Sequence, residues 1–202
     1  MMLQTAVLDA FKKAFETKCV RLVVAAYKSS IVNPTYSMDW MENDFTLMLV
    51  KYIIDNGLRI RWGIIVGTES PIYKDGVAMN KGFANTQCRI DIKMCSISKK
   101  QEYTFCFEAK RLKEGDSSLQ NRYIKTGIDN FISGKYPRGG LLGYLVKGGV
   151  EHTINQLNDK LMKANRRDEI LVSRDNELFS DYFESQHSHF GILKHYIFNF
   201  TI

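Results

Sequence analysis

At 202 residues, with 45% hydrophobic side chains, the chain is long enough to bury a core of its own, which argues against a disordered segment or a disulfide-stapled miniature. Its 28 Lys and Arg against 22 Asp and Glu give a formal charge of +6, a lean towards a polyanionic partner that falls short of proving one. No apolar run reaches the length of a bilayer span, Asp9 and Glu16 interrupt the N-terminal apolar residues where a signal peptide would be uncharged, and the four cysteines, Cys19, Cys88, Cys95 and Cys106, lack C-x-x-C spacing. The expectation is a cytoplasmic protein with reduced thiols and no membrane partner.

In chain order, Leu3, Val7, Phe11, Ala14 and Leu22 recur at helical spacing among lysines and predict an amphipathic helix over 3–28. The NPTYS segment ends it, because Pro34 disfavours helix at the preceding residue. A second helix is predicted over WMENDFTLMLVKYIID, preceded by Asp39 and stopped at Asn56 and Gly57. LRIRWGIIVG, from Leu58, reads as a strand, and TESPIYKDGVAMNKGFANTQ as a long loop of the kind that often carries function. CRIDIKMCSI and YTFCFEAKRL are two further strands, joined by SKKQE into a hairpin. SLQNRYIKTGIDNFIS reads as a helix, GGLLGYLVKG as a short buried strand, VEHTINQLNDKLMKAN as a helix and HYIFNFTI as a final strand. With no internal repeat or linker, the chain is expected to be one α/β domain over 1–202, a sandwich of helices on a central mixed sheet.

Within YTFCFEAKRL, alternation puts Tyr103, Phe105, Phe107 and Ala109 on one face and Thr104, Cys106, Glu108 and Lys110 on the other. On the preceding strand Arg89, Asp91 and Lys93 share a face opposite Ile90, Ile92 and Met94. Hairpin pairing brings Asp91 and Glu108 to the same side. Two carboxylates on adjacent strands make a hard oxygen site suited to Mg²⁺ or Mn²⁺, which can polarise a phosphodiester and activate water, with Lys110 beside it to orient that water or offset phosphate charge. The plainer alternative is a same-face Glu108–Lys110 ion pair on a solvated sheet surface.

IDI at 90–92 followed by FEAK at 107–110 resembles the PD-(D/E)xK motif of the restriction-endonuclease-like nuclease superfamily, with Ile90 in the place of the proline. The element order over roughly 39–165 is similar to that family's core, which leaves an N-terminal helical extension and a C-terminal strand outside it. The resemblance implies a restriction-endonuclease-like three-layer fold, metal binding by Asp91, Glu108 and the main-chain carbonyl of Ala109, and assistance to the attacking water by Lys110. It also implies a fourth site residue, Glu42, whose place on the stripe with Phe45, Leu49, Tyr52 and Ile53 matches a glutamate that the first core helix supplies in many members. Asp39 and Glu42 equally have the spacing of a helix-capping box. Gln120 and Tyr123 resemble a Q-x-x-x-Y motif one residue short, although Ile124, Ile128 and Phe131 fit an ordinary amphipathic helix.

Lys93, Arg122, Lys125, Lys135 and Arg138 are the candidate nucleic-acid-binding residues, with a solvated basic face as their alternative. His187, His189 and His195 lack the companions of a zinc site. RYIKTGIDNFISGKY followed by GGLLGYLV is similar to bacterial proteins of restriction and phage defence. The sequence therefore predicts a Mg²⁺-dependent nuclease acting on nucleic acid, DNA first, with homodimerisation left open. Its rivals are a non-cleaving nucleic-acid-binding module of the same fold and an interaction or scaffold protein.

Overall fold

The computed structural model describes residues 2–72, 81, 83–98, 101–136 and 139–202. Helix α1 spans Met2–Val32, a stretch free of Gly and Pro, and ends just ahead of Asn33 and Pro34, where the proline excludes another helical turn. Its C-terminal half is buried through Cys19, Leu22, Val23 and Tyr27. Tyr27 stacks on Phe198 with ring centroids 4.4 Å apart and donates its hydroxyl to the Asn199 carbonyl at 2.7 Å. Helix α2 spans Glu42–Ile54 with Met41 at its N-cap, and Asp44 accepts the Met41 amide at 2.8 Å. Asp39 and Glu42 thus form no capping box, and the carboxylate of Glu42 is free for another use.

Helix α3, Gly57–Arg61, occupies the start of the expected LRIRWGIIVG strand. Asn56 does not simply stop α2; its side chain accepts the Leu58 amide at 2.9 Å and starts a new turn. Strand β1 begins only at Ile65, after Gly63 at φ 61°, and continues to Ile72 through the first residues of the expected loop. Of the rest of that loop, α4 is Phe83–Thr86, while 73–80 and 82 lie outside the described residues. β2, Cys88–Ser98, and β3, Gln101–Leu112, form the predicted hairpin.

After it, Asp116 caps α5, Ser117–Arg122, by accepting the Ser118 and Leu119 amides, and the helix widens into a π-helical stretch over Tyr123–Ile128 before α6, Asp129–Ile132. β4 is Gly139–Leu145 and α7 is Val150–Lys163. A 3₁₀ turn at Arg167–Glu169, β5 at Val172–Ser173, β6 at Tyr182–His187 and β7 at Gly191–Asn199 complete the chain. β5 and β6 are additions to the elements read from the sequence.

The seven strands of the described residues join one sheet in the order β1-β2-β3-β4-β7-β6-β5. β3–β4 and β4–β7 are parallel, and every other pair is antiparallel. Both faces are covered. Phe107, Leu142, Tyr144 and Phe198 pack under α1 and α2, while Cys106, Leu112, Leu141, Leu145 and Ile197 pack under the π-helical segment and α7. β4, buried along its whole length, reads as a continuous apolar run for this reason. The result is an α/β protein with a mixed sheet between helical layers, and among the described residues no helix is long and apolar enough to cross a membrane.

Where β3 meets β4 the backbones come close: a Cβ at Gly139 would lie 2.1 Å from the Cys106 carbonyl oxygen. Gly139→Ala is expected to force the parallel pair apart and destabilise the fold by about 3 kcal/mol, the upper range of overpacking. Urea denaturation measures the loss, and a wild-type midpoint would show that the strands yield.

Candidate active site

The β2–β3 ladder runs from Ser98↔Gln101 to Ile92↔Phe107 and stops there. At the next position the Asp91 side chain replaces a strand partner, its Oδ2 accepting the Ala109 amide at 2.6 Å. The interruption also breaks the expected alternation, since Ile92 and Met94 pack with one core and Ile90 with the other. On the far side of β2, Thr68 pairs with Ile92 and Ser70 with Ile90, and Glu69 between them adopts φ 47°, the sparsely populated left-handed region.

Into the gap beside Asp91 project Glu108 and Lys110, which are 4% and 5% exposed. They do not form the solvated surface pair of the alternative reading, because the π-helical segment and the Gly134–Tyr136 connection cover this face. The Lys110 ammonium donates to Glu108 Oε1 at 2.6 Å, to the Ala109 carbonyl at 2.6 Å and to Glu42 Oε1 at 3.3 Å, and it lies 4.0 Å from Asp91 Oδ2. Glu42 comes from the other helical layer: α2 starts beside the end of β3, and Glu42 Oε2 accepts the Arg111 amide at 2.9 Å. Asp91, Glu108, Lys110 and Glu42, together with the Ala109 carbonyl, are thereby gathered around one buried nitrogen.

Three carboxylates thus face one buried ammonium. Burial raises the pKa of Asp91, opposed by Lys110 and the Ala109 amide and reinforced by Glu42 and Glu69. Glu108 is pushed up to about 7, by burial before any charge. For Lys110 burial works to lower the pKa, but Glu108, Glu42 and Asp91 outweigh it and the net shift is upward, so the ammonium stays charged. Among the described residues Glu108 Oε2 is buried without a hydrogen-bond partner, a costly condition for a carboxylate oxygen. Among the described residues no group of three or more His, Cys, Asp or Glu side chains forms a ready-made metal cage; the oxygens surround an ammonium.

Gly127, in the π-helical segment, gives the Lys110 stem room, since a Cβ there would lie 3.5 Å from Lys110 Cγ and 3.0 Å from a Leu141 methyl. Tyr136 donates to Glu108 Oε1 at 3.0 Å. Neither Glu69 nor Tyr136 stands out in the sequence, because Glu69 falls in the segment read as loop and Tyr136 in a connection next to Pro137. The basic residues divide. Arg122 lies 3.4 Å from Glu42 Oε1 with its side chain half exposed, and Lys135 lies over the Tyr136 ring. Lys93 pairs with Glu102 at 3.4 Å, further along the hairpin, and Lys125 is exposed on the π-helical segment. Arg138 lies outside the described residues.

Gln120 and Tyr123 point elsewhere. Gln120 donates to Gln156 on α7 at 2.5 Å, and Tyr123 contacts His195 Nδ1 at 2.9 Å. From His195 the contacts continue to Ser185 at 2.7 Å, to His187 at 2.7 Å and to Glu169 at 2.8 Å. With both rings neutral, one direction satisfies every atom: Tyr123 O–H donates to His195 Nδ1, His195 Nε2–H to Ser185, Ser185 O–H to His187 Nε2, and His187 Nδ1–H to Glu169. His187 and His195 thus join a buried structural relay, while His189 is exposed.

Fold and cluster define an α/β protein with a buried carboxylate–lysine centre at a sheet interruption. Comparison of the chain with known protein families, with curated proteins and with solved structures gives no significant match.

Burial, then His187, holds His195 at about 3, and burial also lowers His187 against the pull of Glu169. His195 therefore contributes stability that is complete above the unfolded value of about 6.5 and is lost as pH falls towards 3, and His187 contributes in the same direction. Between pH 6.5 and 5 the wild type is expected to lose about 2 kcal/mol more than His195→Asn, the integral of one depressed group. Contributions such as that of Glu108 are common to both proteins and cancel in the comparison. Equal losses in paired denaturation curves would show that His195 is not neutral in the fold.

Proposed function

We propose that this protein is a divalent-metal-dependent nuclease of the PD-(D/E)xK type that hydrolyses phosphodiesters, with DNA the first substrate to test and restriction or phage defence its setting. The observation that carries the reading is the meeting of Glu42, Asp91, Glu108 and Lys110 in one buried centre, with Glu108 Oε2 left unpartnered among the described residues.

The donor set fits Mg²⁺ or Mn²⁺: all its ligand atoms are hard oxygens, its carboxylates outnumber its ammonium, and one buried oxygen lacks a partner. Asp91, Glu108 and the Ala109 carbonyl, with Glu42, would hold the ion. When bound, the ion supplies Lewis acidity towards a phosphodiester oxygen and lowers the pKa of water. The rest falls to the chain. The Lys110 ammonium, held charged by its carboxylates, donates to an incoming water or phosphate oxygen and orients it, a matter of position more than of affinity. Arg122 and Lys135, beside Glu42 and Tyr136, supply positive charge for the flanking phosphates.

One observation favours the non-cleaving rival: the ammonium already takes up the carboxylates, and a self-satisfied ion cluster needs no metal. Lys110→Met separates the two readings. Without added ion it leaves the buried carboxylates unpaired and should destabilise the protein by about 3 kcal/mol. A metal-binding centre should recover much of that loss in millimolar Mn²⁺, whereas a purely structural cluster would melt equally low with or without the ion.

Cleavage of linear and supercoiled DNA, and of RNA as a comparison, is expected with Mg²⁺ or Mn²⁺ and not with EDTA. Glu108→Gln and Lys110→Met should each lower the rate by about 100-fold or more with the circular dichroism spectrum of the fold retained. Salt-sensitive binding without cleavage would install the binding module instead, and neither activity would leave the scaffold. Glu42→Gln should lose only a modest part of the melting temperature, because Asp44 rather than Glu42 caps α2, a glutamine oxygen can still accept the Arg111 amide, and Glu108 and Asp91 still face Lys110, yet require more metal for half-maximal cleavage. An unchanged metal requirement would remove Glu42 from the site.

A further inference from the structure

Glu108 has two carboxylate oxygens with opposite circumstances. Oε1 accepts from Lys110 at 2.6 Å and from the Tyr136 hydroxyl at 3.0 Å, whereas Oε2 is buried with no partner among the described residues. The terminal torsion of a glutamate is soft, so nothing intrinsic to Glu108 decides which oxygen takes which place. Lys110 alone would not decide it either, because a rotatable ammonium follows whichever oxygen is presented.

The phenol is the fixed partner. Tyr136 is 5% exposed, its ring edge-on to Phe131 at 5.4 Å between centroids. Its backbone amide donates to the Asn130 carbonyl at 3.2 Å. The Asn130 side-chain amide donates to the Tyr136 hydroxyl at 3.4 Å and to the Thr126 carbonyl at 2.6 Å, which ties the phenol to the π-helical segment. With Asn130 donating to it, the hydroxyl has its own proton to give, and Glu108 Oε1 receives it. Burial, followed by the charge of Glu108, raises the phenol's pKa, so that proton is kept.

We propose that Tyr136 is a positioning residue for the centre: by holding Glu108 Oε1 it fixes the rotation of the carboxylate and leaves Oε2 as the oxygen that takes the metal ion. Tyr136 touches neither substrate nor ion and acts through Glu108. The inference rests on the metal-dependent reading above and adds to it the choice of ligand atom and the residue that makes the choice.

Tyr136→Phe keeps the ring and removes the donor. Calorimetric titration of the metal-free protein with Mn²⁺ alone is expected to show an affinity at least about tenfold weaker than wild type, as is usual when a partner of a ligating carboxylate is lost. On DNA, the maximal rate should fall while KM for DNA stays unchanged, a split that general loosening of the fold would not produce. Wild-type Mn²⁺ affinity in a folded Tyr136→Phe protein overturns the positioning role and leaves the nuclease reading standing. Wild-type protein that binds no Mn²⁺ overturns both. If Tyr136→Phe melts too low to titrate, Asn130→Ala replaces it, removing the amide that steadies the phenol: a measurable loss of affinity short of tenfold supports the role, and no loss overturns it.

Discussion

A charged ammonium buried to 5% exposure is the constraint on which the rest of the structure turns. Removing such a group from water is tolerable only where opposite charge and hydrogen-bond acceptors replace its hydration. Lys110 obtains them from three directions: Glu108 and the Ala109 carbonyl on its own strand, Asp91 across the ladder, and Glu42 from the helix on the opposite face. The last of these ties the two layers together. The start of α2 is held to the end of β3 by the carboxylate of Glu42, which bridges the Lys110 ammonium and the Arg111 amide, so the position of the helix and the electrostatics of the centre cannot vary independently.

The same demand accounts for two departures from regular structure. A continuous β2–β3 ladder would use the Ala109 amide for a backbone partner, whereas here the Asp91 side chain takes it and keeps that carboxylate at the centre. On the covering side, the widened turn at Tyr123–Ile128 presents Gly127 to the Lys110 stem, where a larger residue would press on Leu141 and the lysine. Irregularities of this kind are common at functional sites, and each has an identifiable steric or hydrogen-bonding cause.

Legibility in the sequence followed the contrast between buried and exposed positions. Glu108 and Lys110 could be assigned to one face because Phe105, Phe107 and Ala109 alternate with them, Asp91 was placed by hairpin pairing and by an alternation with Ile90, Ile92 and Met94 that the interruption breaks at Ile90, and Glu42 stood out as an acid on the stripe of Phe45 and Leu49. β6 was illegible for the converse reason: its inward positions include Ser185 and His187, buried at 1% and 2% within the relay to Tyr123, so the apolar alternation that reveals a strand is missing. α3 was hidden because Asn56 and Gly57 signal a helix end and, in this chain, also a helix start. Tyr136 carried no periodic signal, since its role depends on a connection folding back over β3. Pairwise patterns expose residues on regular elements, while a residue that completes a site from a turn becomes visible only once the chain is assembled.

Charge also has to be reconciled across scales. The chain carries +6 overall, yet its centre sets three carboxylates against one ammonium. An anionic backbone drawn to the protein by its general charge would meet repulsion at the carboxylates, which are buried and therefore poorly screened by salt. Positive charge at the rim reduces that conflict without removing it, because Arg122 is half exposed and partly committed to Glu42. A divalent ion at the centre would offset the excess of carboxylate charge and present a cation to an incoming oxygen, turning the acidic cluster from an obstacle into a seat for phosphate. This is why metal binding and phosphodiester chemistry stand or fall together in the proposed function, while affinity for nucleic acid alone could rest on the basic surface outside the centre.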